Sequence, residues 1–335
     1  MNKRNNTIRG VLLLVAAALM FSSCAETPGP EEEVTDTRTI SFGTPALTRS
    51  AIDNAGDMQK EENAFSVWGW YANAGGTESG TVFNNKRVFW SAANPGWGYE
   101  DTRYWHPGLD YRFYALYPST DKLGTGVNAA CAVNGTITIT NFDATHGTDL
   151  MTAQQTVQTP DVLTKDPGPV TFTFAHQLAR LSFAVKAVGC EATVTAFKVN
   201  GVTWKANLTC PASGTPSWSG GEKTTDGDSR LTKADGNITV SGGNTITMLQ
   251  DVLLPPHTAA DLTDAVINMA YRLKDDRTAE VELATTEIPH WDAAQQYSYT
   301  LTVSASSLTL TWKVKPWDTK DTEVSWGPDE TTNQE

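Results

Sequence analysis

The sequence predicts an all-β protein made of two antiparallel β-sandwich domains in tandem, and three observations carry that expectation. Apolar and polar residues alternate with period two in "TITIT" (136–140), "INMAYRL" (267–273) and "YSYTLTV" (297–303), the mark of strands buried on one face. Clusters rich in Gly, Asn, Asp and Pro punctuate them as turns, among them "ANAGGTESG" (72–80), "NPGWG" (94–98) and "SGGEKTTDGDS" (219–229). A break at "TKDPGP" (164–169), which can continue neither strand nor helix, divides the 335 residues into two pieces of ordinary domain size.

Taken in chain order, the first 23 residues stand apart. Lys3, Arg4 and Arg9 precede the apolar run "GVLLLVAAALMF", which is too short to span a bilayer and has the build of a secretory signal. The "FSSC" that follows resembles a bacterial lipobox, with Cys24 as the lipidated residue and the new N-terminus. Residues 24–49 open as an acidic, proline-rich tether with almost nothing to bury. A first sandwich is expected over 50–165, with Tyr111, Phe113, Ala115 and Tyr117 on one face of "YRFYALY". A second is expected over 166–327, followed by the polar tail 328–335. It begins with "VTFTFAHQLARLSFAV" (170–185), where the apolar parity switches at Leu181, and ends with Leu308, Leu310, Trp312 and Val314 alternating with polar residues. Helical patterns are limited to a turn or two in "HTAADLTDAV" and "DAAQQY".

Composition narrows the function. A net charge of −13 and no basic stripe argue against nucleic acid, whose phosphates the chain would repel. About half of the aromatic residues fall between Phe65 and Tyr117. They fit a sandwich core, or a surface where Trp and Tyr faces stack on sugars of a host or bacterial glycan, with Trp97 and Trp105 as an exposed pair. Three cysteines follow Cys24, an odd number; Cys190 and Cys210 flank a strand-rich segment as a bridge or as free buried thiols.

Catalytic and metal signatures are missing, and no cofactor is implied. There is no GxSxG, HExxH or phosphate-binding glycine loop, and "DGDSR" carries Arg230 where a calcium ligand belongs. Of five histidines, only His176 lies on the apolar parity of a strong strand, which reads as a hydrogen-bonded core residue. Arg180, on the same parity, is expected to donate to backbone carbonyls where the chain changes faces.

At that seam "VTFTFAHQLARLSF" resembles the F-x-H-x-L-A-R-L motif of fimbrillin-like lipoproteins, subunits of type V pili. The "FSSC" box, "ISFGTPALTRSA" (40–51), "YRFYALYP", "DLMTA" (149–153), "LLPPH" (253–257) and "YSYTLTV" match in family order across nearly the whole chain. The resemblance implies transthyretin-like sandwiches, a cell-surface lipoprotein held at the outer membrane, and no enzymatic activity. It implies cleavage by an arginine-specific protease between Arg49 and Ser50, removing a first strand that contains Ile40 and Phe42. Other pilus subunits are then the partners, each filling the open groove of the next with a terminal strand. Leu308, Leu310, Trp312 and Val314 are the candidate donor face, or the ordinary last strand of the second sandwich. Stalk and tip subunits both fit, as does a surface lipoprotein that binds glycans through exposed aromatics.

Overall fold

A computed structural model describes residues 38–48, 58–60, 63–73, 76, 79–233, 236–284 and 290–317. Cys24, Arg49, Ser50 and the tail after residue 317 lie outside the described residues. The first half of the chain forms β1 (Ala46–Thr48), β2 (Ala64–Asn73), β3 (Ser79–Ser91), β4 (Gly96–Gly98) and β5 (Leu109–Tyr117). It continues with β6 (Asn128–Cys131), β7 (Ile137–Asp143), β8 (Met151–Gln158) and β9 (Thr173–His176). The second half forms β10 (Ala179–Ala187), β11 (Ala192–Asn200), β12 (Thr203–Cys210), β13 (Ser217–Lys223) and β14 (Ile238–Val240). It ends with β15 (Thr245–Leu254), β16 (Val266–Leu273), β17 (Thr278–Ala284), β18 (Gln295–Val303) and β19 (Leu308–Pro316). The protein is all-β, as expected. Among the described residues the strands pair antiparallel except β1 with β9 and β10 with β18, and the isolated bridge between Phe42 and Val170 is also parallel.

A seven-stranded sheet, ordered β1-β9-β8-β5-β2-β3-β4, dominates the first half. Its interior strand β2 reads "AFSVWGWYAN", almost unbroken apolar, because both of its faces are covered. Phe65 and Val67 enter one core with Phe83, Phe113 and Phe172. Trp68 and Trp70 enter another with Ile137, Ile139, Phe142 and Leu208. In the second half, the sheet β15-β10-β18-β19 faces β14-β11-β16-β17. Between them lie Leu181, Phe183, Val185, Phe197, Ile267, Met269, Tyr299 and Leu301. Strand β10 shows the strict alternation that builds such a core: every second residue from Ala179 to Ala187 is buried.

The fourth sheet, β13-β12-β7-β6, takes strands from both halves. The hairpin β12–β13 leaves the second sandwich after β11 and pairs with β7, with Leu208 opposite Ile139 and Cys210 opposite Ile137. Strand β12 therefore serves two cores, Trp204 in the second and Leu208 in the one beneath β2. The departure turns on Gly201, whose φ of +74° suits glycine and where a Cβ would strike the Asp264 carbonyl oxygen.

His257 pins the start of that hairpin. Its Nδ1–H donates to Pro255 O at 2.7 Å, and its Nε2 accepts from the Thr203 N–H at 2.8 Å. Both nitrogens are used only by the neutral ring, and burial pushes the imidazole down to about 4 against the hydrogen bond to Pro255. Unfolded chains take up this proton near the ordinary histidine value, whereas the native state resists it until about pH 4. Stability should therefore fall as pH drops from about 6.5 to about 4, by up to about 3 kcal/mol from this residue. Urea unfolding across that range should show a steeper loss in the wild type than in His257→Gln. Equal slopes would remove His257 as the cause.

Candidate functional site

The segment Arg38–Thr48 enters the seven-stranded sheet region between two stretches of chain that do not otherwise pair with each other. On one side, the Ile40 N–H donates to Arg103 O at 2.8 Å and the Trp105 N–H donates to Arg38 O at 2.7 Å. Thr39 and Phe42 also form antiparallel bridges to Tyr104 and Trp97. On the other side, the Gly43 N–H donates to Val170 O at 2.9 Å, the Val170 N–H to Ser41 O at 2.8 Å, and the Ala46 N–H to Phe172 O at 2.8 Å. From Ala46 to Thr48 the segment continues as β1 alongside β9.

Two side chains seal this clamp. Ile40 is 1% exposed and Phe42 5% exposed. Around the Phe42 ring stand Phe65, Phe83, Tyr99 and Phe172, with centroids 5.6 to 6.0 Å away. The Tyr99 hydroxyl donates to Ile40 O at 2.6 Å, fixing the segment from within the core, and burial raises the pKa of that phenol. Burying two large apolar side chains contributes about 1.5–3 kcal/mol each. Removing the segment would expose an aromatic trough and strand the partner groups at Trp97, Arg103, Trp105, Val170 and Phe172. Such a trough has the chemistry to accept another extended strand, by main-chain hydrogen bonds and alternate apolar side chains.

The aromatic surface expected at Trp97 and Trp105 does not exist. Trp97 is 7% exposed and Trp105 2% exposed, both in the core around Phe42. The cause is the inserted segment: Phe42 bridges to Trp97 and Arg38 O accepts from the Trp105 N–H, so both rings join the core that segment closes.

At the other end of the chain, β19 pairs antiparallel with β18 at the edge of its sheet. Leu308, Leu310, Trp312 and Val314 lie opposite Val303, Leu301, Tyr299 and Tyr297, so they share the core-facing side. Leu308 and Leu310 pack on the second core, whereas Trp312 is 38% and Val314 42% exposed.

His176 and Arg180 do not form one site. The stretch 170–185 is not one strand bending within the second sandwich. Strand β9 belongs to the large sheet beside β8, β10 belongs to a different sheet, and Gln177 and Leu178 carry the chain between them. The His176 Nδ1–H donates to Asp149 Oδ1 at 2.9 Å, both side chains being buried. Arg180 does not serve backbone carbonyls as expected. It binds the Asp251 carboxylate, with Nε at 2.7 Å and Nη2 at 2.6 Å from Oδ1. Asp251 sits 71 residues away at a point of β15 with φ +55°, where the β10–β15 register is irregular. Cys131, Cys190 and Cys210 are free, and Cys190 and Cys210 belong to different cores. Burial pushes the Cys131 thiol up to about 12, out of the reactive range. Among the described residues, no three His, Cys, Asp or Glu side chains gather as a metal site.

The fimbrillin-like family model matches residues 48–317. A fimbrial protein from Bacteroides vulgatus is similar in fold at 17% identity and a TM-score of 0.55, covering 84% of this chain and 99% of that one. The tip fimbrial protein Mfa3 from Porphyromonas gingivalis, with C-terminal truncation, aligns at 9% identity and a TM-score of 0.38, covering 83% of this chain and 98% of its own. No curated protein sequence matches.

The clamp around Phe42 yields a direct measurement. Phe42→Ala should destabilise the full chain by about 3–5 kcal/mol in urea unfolding, because the surrounding rings cannot close the cavity. Thr44→Ala, at an exposed position of the same segment, should stay within about 0.5 kcal/mol. A loss below about 1 kcal/mol for Phe42→Ala would mean that the segment is not part of the core.

Proposed function

The chain belongs to the fimbrillin-like family, and from that premise we propose that it is a non-catalytic structural subunit of an adhesive surface fimbria, assembled by strand exchange. In this reading the protein is exported on its leader 1–23, lipidated at Cys24 and held at the outer membrane by the tether in 24–49. An arginine-specific protease cuts between Arg49 and Ser50, and the strand with Ile40 and Phe42 leaves. A neighbouring subunit's strand then fills the trough, while β19 is the strand this subunit offers in turn. Two sandwich units, expected over 50–165 and 166–327 with the tail 328–335, are the bodies so joined.

The observation that carries the reading is the clamp itself. The segment Arg38–Thr48 is bonded along both edges and buried at Ile40 and Phe42, and it ends one residue before Arg49. A cut there removes a complete strand while leaving every other paired strand covalently continuous. The nine residues of β19 supply a matching alternation of large apolar side chains, of which Trp312 and Val314 are exposed. Backbone pairing plus apolar side chains is the combination a strand-accepting trough requires.

The test is the N-terminus of the surface protein. Sequencing by mass spectrometry should place it at Ser50, and the processed protein should run as heat-resistant multimers. Arg49→Ala should retain the lipid-bearing Cys24 and remain monomeric. Wild-type multimers that still begin at Cys24 would overturn the processing step.

A further inference from the structure

The residue that follows β19 is buried in a core that is not the core of its own sandwich. Trp317 is 2% exposed and belongs to the apolar cluster beneath β2, with Leu150, Leu178 and Leu253. Leu308 and Leu310 of the same strand pack instead on the second core. The Trp317 ring stacks on His176 at 4.3 Å between centroids and 17° between planes. His176 is held from its far nitrogen by Asp149, and the Trp317 backbone N–H donates to Ala294 O at 3.2 Å. The C-terminal strand is thus fixed at its outer end by a ring seated in the other half of the molecule, while Trp312 and Val314 between the two anchors are half exposed.

The seat is held by stacking and apolar burial alone. Trp317 Nε1, His176 Nε2 and Asp149 Oδ2 are buried without hydrogen-bond partners. The indoles of Trp97 and Trp105 are unpaired in the same way, whereas that of Trp291 donates to the Tyr299 hydroxyl at 2.7 Å and that of Trp218 to Gln177 O at 3.2 Å. A contact that buries a large ring but leaves its polar atoms unpaired binds more weakly than its area suggests. We infer that Trp317 is a releasable latch: the His176–Asp149 socket is an aromatic-binding site on the N-terminal body, its occupant is the chain's own Trp317 indole, and β19 leaves its sheet only after the ring leaves the socket. The latch stands without reference to assembly. Its consequence, control over when β19 is offered to a neighbour, rests on the strand-exchange reading above.

Hydrogen exchange on the full-length protein tests it, with free indole as the probe. Trp317→Gly should raise exchange of the Leu308–Lys315 amides by about tenfold or more while β10 and β16 keep their protection. Millimolar indole should refill the emptied socket, as small apolar molecules fill engineered cavities, and slow exchange around His176 and Leu178, yet leave β19 fast because a free ring is not tied to the strand. Trp312→Gly, at the exposed ring of the same strand, should leave those socket amides without an indole response. Unchanged β19 exchange in Trp317→Gly, or β19 slowed again by free indole, overturns the latch. If Trp317→Gly does not fold, Trp317→Leu fills the socket without a ring to stack. It should loosen β19 selectively, and wild-type exchange in that variant also overturns the proposal. A variant with loosened β19 but unaltered multimer formation keeps the latch and counts against strand donation.

Discussion

Burial of one sheet on both faces is the constraint on which the rest of this structure depends. Strand β2 carries large apolar side chains in both directions, so the seven-stranded sheet needs two covers. One cover is aromatic and local, where Trp105 and the inserted segment with Ile40 and Phe42 pack with the sheet's own Phe65, Phe83 and Trp97. The other comes from afar, through β12–β13 and the ring of Trp317. Each cover uses a piece of chain anchored to something else, and that arrangement allows a piece to be essential and still detachable. A β-sheet exposing either face of β2 would present a large contiguous apolar patch of the kind that drives association.

The two ends of the described chain therefore play related parts. At the N-terminal side, Phe42 fills an aromatic cage and Tyr99 ties the backbone in place. At the C-terminal side, Trp317 fills a socket floored by His176. Both are single large rings carried by an extended segment. The difference lies in the polar bonding: the Phe42 segment is laced along both edges, whereas the Trp317 ring makes no hydrogen bond.

Alternation made many strands legible, because β7, β10, β16 and β18 each bury one face in a regular core. It left their partners unreadable. Nothing in "TWKANLTC" says that β12 will abandon the sandwich of β11 for β7, more than sixty residues upstream. Arg180 points to the same limit, since its partner Asp251 lies in a distant bulge that local pattern does not reveal. Trp97 and Trp105 failed as surface residues for a different reason: parity distinguishes the two sides of a strand, but not whether the second side is also covered. A further signal was available in the unbroken apolar run of β2, which marks a strand buried on both faces. Ile40 and Phe42 came from family resemblance, because two apolar residues make too short a period to identify a strand.

The shared sheet β13-β12-β7-β6 also bears on the order in which the molecule can come into being. Strands β6 and β7 emerge early, yet their sheet waits for the hairpin that ends at Lys223. The upstream body therefore cannot finish as a bead before the downstream hairpin has been made. Chains that close such long loops fold slowly and late. On the export route proposed above, an unfinished first body is an advantage: the polypeptide stays loose enough to be carried across, and it sets into its final shape only when nearly all of it has arrived.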